Sequence, residues 1–161
     1  MVQTERPVET TEKLRPTLSD REIAVLQGLI EGLTTAEIAS GIRLSLAVTE
    51  RAKQRLALKF RVNPADNRFT PAVVKAYLCR AITEAIDSGL LTTDHLPSRF
   101  SASLNVVECE ILEGMASGKN IFDLSRKLGI KVEAGETHLR RICKKCAVKN
   151  VFMAVACWAD G

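Results

Sequence analysis

A gapless internal repeat constrains this chain more than any other feature. Residues 18–62 read LSDREIAVLQGLIEGLTTAEIASGIRLSLAVTERAKQRLALKFRV, and residues 104–148 read LNVVECEILEGMASGKNIFDLSRKLGIKVEAGETHLRRICKKCAV. Leu18/Leu104, Glu22/Glu108, Leu26/Leu112, Gly28/Gly114, Gly32/Gly118, Glu50/Glu136, Arg55/Arg141, Lys59/Lys145 and Val62/Val148 are identical pairs. Elsewhere one apolar residue replaces another, as in Val25/Ile111, Ile38/Leu124, Ile42/Leu128 and Leu56/Ile142. A shared apolar pattern at a fixed period means a shared fold, and each copy alone is too small to bury a full core.

Within the first copy the punctuation is helical. Ser19 with Glu22 and Thr34 with Glu37 are capping boxes, each opening a short helix. Val25, Leu26, Leu29 and Ile30 form one apolar face, and Gly32 is placed to end that helix in a left-handed turn. Ser45 caps a third helix to about Phe60, carrying Val48, Ala52, Leu56 and Phe60 at helical spacing. A short helix, a tight turn and a longer helix is the helix-turn-helix layout, which periodicity alone does not separate from any three-helix bundle.

These residues resemble the DNA-binding domain of LuxR-type (GerE-type) transcription regulators. That family reads roughly L-T-x-R-E-x-x-V-L, then G-x-S-x-K-E-I-A, then L-x-I-S-x-x-T-V-K-x-H, then K-L-x-V. Leu18, Arg21, Glu22, Val25, Leu26, Gly32, Glu37, Ile38, Ala39, Ser45 and Lys59 match it in the first copy. Leu104, Glu108, Leu112, Gly118, Leu128, Ile130, His138, Leu139, Ile142, Lys145, Val148 and Asn150 match in the second. The resemblance implies an all-α fold: two tandem four-helix LuxR-type units packed through their fourth helices. Both copies depart from the family in one place, with Glu50 and Glu136 standing where it has a DNA-facing lysine. A carboxylate repels phosphate but can accept from a cytosine amine. Lys131 replaces the capping serine, and Gly135, inside a helix, is expected to cost about 1 kcal/mol relative to alanine.

The implied organisation is a flexible tail over 1–17, a first unit over 18–89, a connector over 90–103 and a second unit over 104–161. Thr70-Pro71 starts the first unit's fourth helix, which runs to about Ser88 before Gly89; Val74, Tyr77, Leu78, Ala81 and Ile82 line its inner face. The second unit's fourth helix, from Val151 to about Ala159, is apolar nearly all round and demands burial on several sides. Met153, Val155 and Trp158 are its expected contacts with the first unit or with a second chain, so a homodimer and an intrachain pair are both open.

Carrying over the family's outward positions gives Glu50, Arg51 and Gln54 as DNA-contacting residues in the first copy, and Glu136, Thr137 and Arg140 in the second. Arg55, Lys59, Arg141, Lys144 and Lys145 add charge along the same helices. The implied partner is double-stranded DNA. Alternatively, a degenerate domain binds another regulator or RNA polymerase without DNA. The net charge of +4 permits either.

No Gly-rich phosphate loop or nucleophile–base pair indicates an enzyme, and no cofactor is implied. Cys143 and Cys146, with His138 and Cys157 nearby, invite a zinc reading, but a structural site needs four ligands and these cysteines align with apolar positions. Five cysteines, an odd number, fit a reducing cytosol rather than a disulfide framework. The polar N-terminus is neither a signal peptide nor a membrane span, so a cytoplasmic, nucleoid-associated protein is expected.

Overall fold

The computed structural model describes residues 17–61, 69–97 and 104–160. The expected tail up to residue 16, residues 62–68 and the second half of the connector lie outside them. Eight helices and no strand occur among the described residues: α1 (Asp20–Ile30), α2 (Thr35–Gly41), α3 (Leu46–Lys59), α4 (Pro71–Asp87), α5 (Val106–Ala116), α6 (Ile121–Leu128), α7 (Val132–Cys146) and α8 (Val151–Asp160).

The starts of these helices are set locally. Ser19, Thr34 and Asn105 each complete a reciprocal capping box with Glu22, Glu37 and Glu108. Ser45 and Thr70 accept from the amides of Val48 and Val73, and Pro71 sits in the first turn of α4. Lys131 gives α7 no side-chain cap. Gly32 and Gly118, equivalent in the repeat, both take left-handed φ values, 80° and 93°. The α2–α3 turn has Arg43 at φ 59°, and the aligned residue in the second copy is Gly129 at φ 70°. One turn geometry is thus held by two different residues, with the steric strain falling on arginine.

Close approach of the first two helices is also duplicated. A Cβ on Gly28 would lie 2.6 Å from Ile38 Cγ1, and one on Gly114 would lie 2.3 Å from Leu124 Cδ2. Gly135 is a third such case. It is buried, and a Cβ there would fall 2.3 Å from Ser125 Oγ and 3.1 Å from Ile121 Cδ1. The sequence marks Gly135 as costly for a helix. Its compensation is that α7 seats directly on α6, which a larger residue forbids.

Two apolar cores result. Val25, Leu26, Ile30, Ile38, Leu56, Leu78 and Ile82 form the first; Ile111, Leu112, Met115, Leu124, Ile142 and Val155 form the second. Neither is closed by its own segment alone. Ala156 of α8 belongs to the first core, Cys79 of α4 belongs to the second, and Phe152 packs against both. The most extensive helix–helix contact in the molecule is between α4 and α8. Helix α1 also touches α8, and α5 touches α4. Asn150 donates to the Leu29 carbonyl, tying the start of α8 to the end of α1.

Part of the stretch read as a connector is built into this arrangement. Leu91 and Leu96 pack on the first core. The Gln27 side chain exchanges hydrogen bonds with the Thr92 backbone, and His95 Nε2 lies 2.8 Å from the Ile30 carbonyl oxygen. The end of α1 therefore finds partners from residues 90–97 and from α8.

The glycine contacts are directly testable. Gly114→Ala and Gly28→Ala are expected to destabilise the protein by about 1–3 kcal/mol each in urea unfolding, through overpacking. Gly41→Ala, where nothing lies within 4 Å, should be neutral or raise stability by up to about 1 kcal/mol.

Candidate nucleic-acid interface

The ends of α3 and α7 are fixed by the same ion pair, made twice. Lys59 Nζ lies 2.7 Å from Glu22 Oε1, and Lys145 Nζ lies 2.7 Å from Glu108 Oε1. In each case that carboxylate oxygen also accepts the N-cap amide, from Ser19 or Asn105. One glutamate thus closes a capping box and anchors the last turn of the third helix of its repeat. Burial pushes the Glu22 and Glu108 carboxyls up. The lysine and the N-cap amide more than offset this and hold both below their ordinary 4.5. The two pairs differ in depth: Glu22 is 12% exposed and Glu108 only 1%. Glu108 Oε2 and His138 Nδ1 are both buried without a hydrogen-bond partner among the described residues. Lys59 and Lys145, carried over as DNA contacts, are exposed, and each is ion-paired to the capping glutamate of its repeat.

Helix α3 presents four of its polar residues outward. Glu50, Arg51, Gln54 and Arg55 are exposed, and Arg51 and Arg55 make no ion pair or hydrogen bond among the described residues. The inner side of α3 is closed by Leu56 and Ala57, by Thr49, whose hydroxyl donates to the Ser45 carbonyl, and by Lys53, which reaches Thr35 on α2. Arg80 of α4 donates to the carbonyls of Phe60 and Arg61. A guanidinium at a helix C-terminus satisfies orphan carbonyls and opposes the negative end of the dipole. This contact was not foreseen; nothing in the sequence pattern separates Arg80 from any half-exposed arginine.

On α7, Glu136, Arg140, Arg141 and Lys144 are exposed, and Thr137 is half-buried. Arg140 donates to Thr137 Oγ1, which in turn donates to the Glu133 carbonyl. Arg141 and Lys144 have no partner among the described residues. Helices α3 and α7 do not touch. Glu50 and Gln54 line a cleft of about 310 Å³ that includes Phe69, Pro71 and Lys75. Glu136 and Arg140 line one of about 610 Å³ that includes Pro71, Lys75, Met115 and Phe122. The first turn of α4 thus borders both clefts, with Glu50 lining one and Glu136 the other.

The residues carried over as interface positions fall largely within the cores. Tyr77, Leu78, Ala81 and Ile82 are buried in the first, and Val74 packs at its edge. Val155 is buried in the second, where Trp158 packs at the edge. Met153 is buried, and its sulfur lies close to Gly32. The residues that cross between cores, Cys79, Phe152 and Ala156, were missed because small or isolated side chains carry no periodic signal. Burial pushes the thiols of Cys79 and Cys146 up to about 12 and that of Cys157 to about 11. All three are buried as free thiols.

Residues 16–64 match the family model described as bacterial regulatory proteins, luxR family. The match spans α1 to α3, just under a third of the chain. Domains of that family are regulatory and DNA-binding rather than enzymatic. Comparison with curated proteins and with solved structures gives no match. No helix among the described residues is long and apolar enough to cross a membrane.

The two ion pairs make opposite demands on a mutant. Lys145→Met leaves a buried carboxylate without its cation and should cost about 3–5 kcal/mol at pH 7. Lys59→Met removes a pair in which lysine is 40% exposed and should cost about 1 kcal/mol or less. Because the Glu108 pKa is depressed, its stabilisation is present above pH 4.5 and is lost as pH falls through the folded value. The gap between Lys145→Met and the parent in urea unfolding should therefore narrow on acidification.

Proposed function

We propose that this protein is a DNA-binding transcription regulator in which two helix-turn-helix units, 18–89 and 104–161, are held in one chain by α4 and α8. The observation that carries the reading is α3. It lies within the luxR-family match, is anchored at its end by Glu22–Lys59, and keeps Arg51 and Arg55 outward and unpaired among the described residues. A cationic stripe on a helix that follows a tight turn suits the major groove and its flanking phosphates.

The second unit is read the same way because four devices recur at the repeat spacing. They are the capping-box glutamate with its lysine, the glycine under the second helix, the left-handed glycine after the first, and the left-handed turn before the third. The four residues here identical to the matched segment's, Glu108, Gly114, Gly118 and Lys145, sit where geometry demands them. On this reading α7 is the second DNA-facing helix, and the site has two unequal halves because the two helices differ. The protein works at the nucleoid, in the cytoplasm.

One observation favours a second reading, a partner-binding antagonist or co-activator. Glu136 and Arg140 line the 610 Å³ cleft beside α4, so part of α7 faces protein. In that case another regulator or RNA polymerase is the partner and DNA affinity is absent.

Gel-shift titration over a salt series distinguishes the two. Regulatory DNA should bind with steep salt dependence, and Arg55→Gln should reduce the salt slope by about one. Salt-independent or undetectable binding at low salt, with a stable complex with polymerase or another regulator, would favour the second reading.

A further inference from the structure

The outward stripe of α3, one residue per turn, is Ala47, Arg51, Gln54 and Leu58, and all four are exposed. Leu46 stands beside Ala47 in the first turn and is 53% exposed, while Leu58 is 40% exposed. The aligned stripe on α7 is Glu133, Thr137, Arg140 and Lys144. The two faces therefore differ in kind. One begins with apolar side chains and carries an arginine and an amide at its centre. The other begins with a carboxylate, and its central hydroxyl and guanidinium are already bonded to each other and to the helix backbone.

We infer a division of labour, resting on the DNA-binding reading above: α3 reads bases, with Leu46 and Ala47 against thymine methyl groups, whereas α7 holds phosphates without reading sequence. The first residues of a recognition helix are those that reach base edges. In the major groove the only apolar group on a base edge is the thymine C5 methyl, and an apolar side chain is its complement. Arg51 and Gln54 are then placed to donate to purine acceptors beside it. On α7 the residue aligned with Ala47 is Glu133, which repels the backbone and finds no methyl partner. Arg141 and Lys144, unpaired among the described residues, remain for phosphate. The operator is accordingly one thymine-containing half-site with a flank of relaxed sequence, not two equivalent halves.

The test uses the full chain. DNA is selected from a random-sequence pool at low salt, and each conserved thymine is then replaced by deoxyuridine, which removes only the methyl. One conserved half-site is expected, with binding weakened about fourfold for each methyl buried. The variant Leu46→Ser/Ala47→Ser, changed only at exposed positions, should bind thymine and deoxyuridine sites equally. Arg141→Gln and Lys144→Gln should weaken binding to all sequences alike. Two equally conserved half-sites, or indifference of the parent protein to deoxyuridine, would overturn this inference and leave the DNA-binding reading standing. No enrichment from the pool at all would overturn both.

Discussion

The contact between α4 and α8 is the constraint on which the rest depends. Helix α8 has six buried residues among its ten, on every side. No single helix layer can cover such an element. It is enclosed because α1, α4, α5 and α7 all pack against it. Burying a large aliphatic or aromatic side chain is worth about 1.5–3 kcal/mol, and here that gain is available only when the two halves of the chain are docked. Ala156, Cys79 and Phe152, shared between the cores, make the stability of each half conditional on the other.

Against that shared centre, the outer helices are set by short-range devices used twice. A glutamate three residues after the cap fixes the helix start, and its remaining reach takes the lysine 37 residues on, near the end of the third helix. A glycine lets the second helix lie against the first. These restraints leave α3 and α7 little freedom to roll or slide, which suits helices whose outer surfaces meet a partner. Their electrostatic depth is unequal. The first pair is largely solvated, while the second holds a nearly buried carboxylate whose other oxygen has no hydrogen-bond partner among the described residues. The second half is thus the more sensitive to loss of one charge.

Much of the fold was legible in the sequence because its signals are local. The capping residues Ser19, Thr34 and Ser45, the left-handed Gly32 and Thr70-Pro71 act through adjacent backbone, and all appear at the expected positions. What the sequence did not carry was the outcome of packing at a distance. Lys59 and Lys145 read as surface cations, and both are exposed, but their ion pairs to Glu22 and Glu108 depend on how the helices of each repeat pack. Gly135 read as a helix defect because its justification, Ser125 and Ile121, lies on another helix. Residues 90–97 read as a connector because Thr92 and His95 contribute single hydrogen bonds without periodicity. Of the candidate site, the outward positions on α3 followed from the family resemblance, and they are exposed. That Glu136 and Arg140 share a cleft with α4 did not, because it depends on where a helix from the other half comes to rest.

The docking of α4 with α8 has a consequence in mass action. The two helices belong to one polypeptide, so their encounter is intramolecular, and the effective concentration of each at the other is set by chain length rather than by abundance. Dilution cannot separate them. An assembly of two separate subunits dissociates as it becomes scarce and must keep identical faces on both sides of its axis. A single gene product is bound by neither condition: the pair persists at a few copies per cell, and substitutions on one outer helix leave the other untouched.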